Sequence, residues 1–193
     1  MTNPLDPTAN YDVPKGDSKY LKFEKGHTKF LAVDSAIIGW QYWNTDNKPV
    51  RLKEEPKNPA ELPGIKQEED GRYKVTHFWA FPVVDCADGK VKILEITQKT
   101  VQSDIRAYTL NEDWGSPVMN YTFTVNREGD KFETKYTTMA NPTKIIPEEW
   151  KKAWEDVQAA GFDLNALFDN GDPFAADIPD AIPEEVDTEE PPE

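Results

Sequence analysis

YKVTHFWAFPVVDCADGKVKILEITQKTVQSDIRAYTL, residues 73–110, is the stretch on which the fold turns. Residues 73–85 are dense in rings and branched side chains, as a strand is. Pro82 near their end asks for an edge position or a bulge, because proline donates nothing to a ladder. Asp88-Gly89 is a hairpin turn signal, and KVKILEIT (90–97) is the returning strand. The period then changes. Val101, Ile105 and Tyr108 recur at helical spacing over 98–110, with Thr100 or Ser103 placed to cap the start.

Working outward, YLKF (20–23), TKFLAVD (28–34) and AIIGWQYW (36–43) precede this unit. The last two follow one another almost without a break and suit one long strand bent at Gly39. Residues 44–72 form a polar connection holding Pro49, Pro56, Pro59 and Pro63 among Lys48, Arg51, Lys53, Lys57 and Lys66. A stretch of this length without structure of its own is usually functional or disordered. Downstream, NYTFTVNR (120–127) alternates strictly, Glu128-Gly129-Asp130 turns the chain, and KFETKYTT (131–138) alternates back. The order is therefore strand, long loop, hairpin, helix, hairpin. The expected fold is mainly β: a five-stranded OB-fold barrel over 19–144, with one helix between strands 3 and 4.

The ends read differently. Residues 1–18 hold three prolines and no apolar period, as a flexible arm does. PEEWKKAWEDVQAAG (147–161) reads as a helix with Trp150, Trp154 and Val157 on one face, inside a C-terminal helical segment over 145–168. From Asp169 to Glu193, Asp, Glu and Pro surround isolated Phe174, Ile178, Ile182 and Val186, a composition expected to stay disordered.

Charge supports that division. The net charge is −14. Residues 1–144 hold 20 Lys+Arg against 21 Asp+Glu, while 145–193 hold 2 against 15. A near-neutral domain with an acidic tail is a different object from an acidic protein. One cysteine permits no intrachain disulfide, and one Cys with two His does not furnish the four ligands of a structural zinc site. No run approaches the ~20 apolar residues of a membrane span, and the N-terminus lacks an apolar signal region. These features suggest the cytoplasm, with no membrane contact, no metal and no cofactor.

Enzyme motifs are absent: there is no Gly-rich phosphate loop, no HExxH and no GxSxG. Asp85, Glu95 and Lys99 mimic a metal-dependent nuclease core, but without the usual Glu-x-Lys spacing. The binding features are stronger. Tyr42, Trp43, His77, Trp79, Phe81 and Tyr136 sit on expected strands or at their ends, with Lys29, Arg51, Lys53, Lys74, Lys92, Arg127 and Lys135 nearby. Single-strand binders combine these ingredients, rings for bases and cations for phosphates. Rings on a barrel strand are nevertheless more often core than platform. The signal lies in their concentration, not in any one residue.

IIGWQYW (37–43), HFWAFPVVD (77–85), GKVKILEITQKT (89–100), YTFTVNREG (121–129) and TKYT (134–137), in this order and spacing, resemble the phage-encoded OB-fold single-stranded DNA-binding proteins. The resemblance covers roughly residues 19–144. It implies sequence-tolerant binding of single-stranded DNA in the host-cell cytoplasm during phage replication or recombination. It also implies contacts from Trp43, Trp79, Arg127 and Lys135, and replication or recombination partners recruited by the acidic tail. Some members of that family hold zinc, for which this chain lacks the ligands. The competing reading is a protein-interaction module or inhibitor, with an OB-like barrel and a DNA-mimicking tail.

Overall fold

The structure is a computed structural model and describes residues 18–174. The arm expected over 1–18 lies outside the described residues except for Ser18, as does the acidic tail from residue 175 onward.

One mixed sheet of eight strands organises the chain: β1 (Tyr20–Leu21), β2 (Gly26–Ala32), β3 (Ile37–Trp43), β4 (Pro49–Leu52), β5 (Thr76–Asp85), β6 (Val91–Ile96), β7 (Thr122–Glu128) and β8 (Lys135–Asn141). Neighbours run β1-β6-β5-β2-β7-β8, and β3 pairs with both β5 and β4. All ladders are antiparallel except β1 with β6. Helix α1 (Lys99–Leu110) falls between β6 and β7, the position the periodicity predicts. Helix α2 (Glu148–Ala159) follows the sheet. No helix among the described residues is long and apolar enough to cross a membrane.

The core occupies one face. Phe30 on β2, Phe81 and Val83 on β5, Leu94 and Ile96 on β6, and Phe123 and Val125 on β7 project there together. Val101 and Ile105 of α1 join them. Each fully buried side chain of this size contributes about 1.5–3 kcal/mol, so this cluster dominates the stability. The two ends of the strand path approach each other: the ring of Phe23, just after β1, lies 6.1 Å from Tyr136 on β8. No ladder joins β1 to β8 among the described residues, so the sheet is open there.

The opposite face is covered by the C-terminal region. Trp154 of α2 packs on Leu31, Val33 and Val84, with Trp150 and Val157 beside it, the helix face the spacing marks for docking. A 3-10 turn over Leu164–Asp169 lays Leu164 and Leu167 on Phe78, Ala80 and Ile93.

Several expectations are corrected. Eight strands replace five. The bend of the long strand falls at Val33–Ala36, separating β2 from β3, and not at Gly39. Gly39 lies within β3 for another reason: a Cβ there stands 2.5 Å from the Leu52 carbonyl oxygen and 2.9 Å from the Phe78 ring. Pro82 sits in a central strand. It is tolerated because β5 pairs with β3 up to Ala80 and with β2 from Val83, so Pro82 faces the corner between those strands. Within 44–72, β4 pairs along β3 after a turn held by Asn44, whose side chain accepts from the Asp46 and Lys48 amides. Lysines and prolines hid that strand from pattern reading. The N-cap of α1 is Gln98, without a side-chain capping bond, rather than Thr100 or Ser103. Residues 169–174, expected in the disordered tail, pack instead: Asp172 pairs with Lys19, and the Phe174 ring lies 5.1 Å from Phe162. Phe174 is isolated in sequence, but Phe162, Leu164, Leu167 and Phe168 gather around the same face and give it a place to bury.

Candidate nucleic-acid interface

Four of the residues singled out in the sequence line one groove. Trp43 ends β3, Arg51 lies on β4, and Arg127 and Tyr136 face each other across the β7–β8 ladder. The groove has a volume of about 420 Å³ and runs where β1 approaches β8. Tyr20, Lys22 and Phe23, in and just after β1, and Gln98 at the start of α1 also line it. Rings and cations, with the one carboxylate Glu95, therefore share a single concavity.

The two arginines differ. Arg51 is 9% exposed in its side chain, and its Nε and Nη2 both donate to Oε2 of Glu95, at 3.2 and 2.7 Å. Its guanidinium also lies 5.9 Å from the centre of the Phe78 ring. That charge is neutralised locally, and Arg51 ties β4 to β6 across the sheet face. Arg127 donates through Nη1 to the Phe23 carbonyl at 3.1 Å, while its buried Nε has no partner. Among the described residues Arg127 forms no ion pair. Asp130 is near enough for the Arg127 charge to help lower its pKa, after Lys25, but it makes no direct contact with the guanidinium, which leaves this half-buried group suited to an anion such as phosphate.

An adjoining groove of mixed charge shares Tyr20, Leu21 and Lys22 with the first; it holds Lys25, Lys29 and Lys92 beside Glu24, Asp85 and Asp88. Of these carboxylates, Asp85 and Asp88 are both engaged by Lys92, each at 2.7 Å. Burial pulls the Lys92 ammonium down, but the bonds and charges of Asp85 and Asp88 outweigh it and raise its pKa.

The remaining sequence candidates are not brought into the groove. Tyr42 is buried, and its hydroxyl donates to the Pro63 carbonyl at 3.0 Å, which pins the connecting loop. His77 and Trp79 lie on the opposite face of β5 from the buried Phe78. His77 meets Trp40 edge-on at 5.1 Å and approaches Gln102, while Trp79 packs against the core cluster. Lys53 stands 5.4 Å over the Phe168 ring. Lys74 and Lys135 are exposed. The nuclease-like trio also stays apart: Asp85 is held by Lys92, Glu95 by Arg51, and Lys99 is exposed at the start of α1. Burial pushes the Cys86 thiol up to about 11, which leaves it protonated and unreactive as a nucleophile.

Tyr20 and Lys22 are groove residues that the sequence reading passed over as strand filler. Their role depends on β1 lying parallel to β6, a pairing distant in sequence that no local pattern announces.

These placements separate two tryptophans. Trp43 is 52% exposed. Trp43→Ala is expected to change the melting temperature little and, on a single-strand-binding reading of the groove, to weaken that binding by about 1–3 kcal/mol. Trp79→Ala is expected to cost about 2–4 kcal/mol of stability, because its ring rests on the core. Paired thermal melts and binding titrations check both, and the reverse pattern would exchange the two assignments. No family model, no curated protein and no solved structure matches the chain.

Proposed function

We propose that the protein binds single-stranded DNA without catalysis and with little sequence preference, protecting it during phage DNA replication or recombination. The observation that carries this reading is the groove in which Arg127, its buried Nε without a hydrogen-bond partner and its guanidinium in no ion pair among the described residues, lies among Tyr20, Trp43 and Tyr136. Any base can stack on an exposed ring, because every base has a π-face, while guanidinium and lysine groups track the backbone. In this reading the rolled sheet is an OB-type barrel, with β2 and β3 together acting as its first strand, β5 and β6 as the next two, and β7 and β8 as the last. A gel shift with labelled oligo-dT and with duplex of the same length tests it. Preference for the single strand, weakening as salt rises, is the expected result. Equal affinity for the two forms contradicts it.

The acidic tail is read as a competitor of DNA and a recruiter of replication or recombination proteins. Its root supports this, since Asn170 and Gly171 line a depression that shares Tyr20, Pro49 and Arg51 with the main groove. Residues 175–193 add eight Asp+Glu and no Lys or Arg. Tethering gives such a segment an effective concentration on the order of mM. Truncation after Phe174, which leaves the packed segment intact, is expected to tighten DNA binding several-fold at low salt. The gain should shrink as salt screens the tail. Unchanged affinity at low salt leaves the tail no competitive role.

A second reading, a protein-interaction module, has one observation in its favour. Ile38, Trp79, Ile105 and Val118 line a separate apolar groove beside α1. The charge and ring pattern of the first groove favours nucleic acid.

A further inference from the structure

The β7–β8 hairpin ends in a tip that displays a phenyl ring to solvent. Phe132 is 104% exposed, the most exposed large apolar side chain among the described residues. The tip is not slack. Gly129 adopts φ +76°, where a Cβ would stand 2.4 Å from the Glu133 carbonyl oxygen. Lys131 takes φ +52°. The Thr134 hydroxyl and the Thr134 amide both donate to the Lys131 carbonyl, at 2.9 and 3.4 Å. Lys25, just before β2, holds Asp130 at 2.9 Å. A left-handed lysine and a glycine that nothing larger replaces are spent on a turn whose product is an unburied ring.

The ladder tells where that ring stands. Arg127 and Tyr136 face each other and line the groove; the next pair outward is Glu128 with Lys135, and the tip follows directly. Phe132 therefore lies at the end of the hairpin whose Arg127–Tyr136 pair lines the groove. Its neighbours Asp130, Lys131, Glu133 and Thr134 are polar, so it belongs to no apolar patch of the several hundred Å² that a protein interface uses. Carboxylates and lysines balance at the tip, so it selects no charge. A lone ring in neutral polar surroundings matches the flat face of a base.

We propose that Phe132 is a stacking finger that takes one unpaired base at the rim of the groove. This rests on the single-strand-binding reading above. The finger adds a contact to the base and none to the phosphates.

The test is a titration of the full-length protein with oligo-dT and with an abasic oligodeoxyribose phosphate of equal length. Phe132→Ala is expected to raise Kd for oligo-dT about tenfold. The melting temperature and the slope of log Kd against log salt should be unchanged, because no phosphate contact is lost. Phe132→Tyr and Phe132→Trp should restore binding, and on the abasic strand Phe132→Ala should match wild type. Wild-type affinity of Phe132→Ala for oligo-dT overturns the finger and leaves the function standing. So does a loss that persists on the abasic strand, or a change in sedimentation that marks the ring as a contact between copies. Failure of the wild-type protein to bind oligo-dT at all removes the function and the finger together.

Discussion

Gly39→Ala is expected to lower stability by about 2–3 kcal/mol, and Gly39→Val to prevent accumulation of folded protein. A Cβ at this position meets the Leu52 carbonyl oxygen at 2.5 Å, the Phe78 ring at 2.9 Å and the Phe168 ring at 3.0 Å. The first obstacle is backbone and cannot swing aside. Relief requires β4 to separate from β3, or the 164–169 turn to lift from the sheet. A loss of that size corresponds to a fall in melting temperature of about 4–12 °C for a chain of this length. Hydrogen exchange should show protection lost first in Pro49–Leu52 and in 164–169. Because β4 carries Arg51 and Pro49 into the groove wall, single-strand affinity should fall with it. A melting temperature for Gly39→Ala equal to that of wild type means that the close approach of β4 is wrong.

Arg127→Glu is expected to reduce affinity for single-stranded DNA by about two orders of magnitude. It removes a charge-assisted contact worth about 1.5–3 kcal/mol and sets a carboxylate against the phosphates. Part of any effect could come from the Phe23 carbonyl, which loses its donor. Arg127→Gln separates the two roles, since an amide still donates but carries no charge. Its affinity should fall less, and the slope of log Kd against log salt should drop by about one. If Arg127→Gln binds with the wild-type salt slope, Arg127 does not meet a phosphate.

The sequence made some of this legible and hid the rest for physical reasons. The hairpin of β5 and β6, helix α1, and the β7–β8 hairpin are local objects with their own turns and periods, and they stand where the pattern places them. The Val33–Ala36 corner was not legible. Its cause is that β5 serves two partners in succession, and the same fact explains how Pro82 fits a central strand. For the groove, the ring-and-cation composition pointed at Trp43, Arg51, Arg127 and Tyr136, but not at the difference between them. Arg51 is matched to Glu95 across four strands, and Tyr42 to the Pro63 carbonyl across a loop. Such pairings lie far apart in the chain and leave no periodic trace. Phe132 was passed over because strict alternation assigned it to a strand, whereas the backbone turns there with Lys131 in a left-handed conformation.

The central claim is that the groove bounded by Tyr20, Trp43, Arg127 and Tyr136 holds the single strand. Photo-crosslinking with an oligonucleotide carrying bromodeoxyuridine, followed by mapping of the attached peptides, tests it most directly. The account predicts attachment at Tyr20, Trp43 and Tyr136, lost when unlabelled oligo-dT competes. Attachment confined to the apolar groove of Ile38, Trp79 and Val118, or none that oligo-dT displaces, contradicts it.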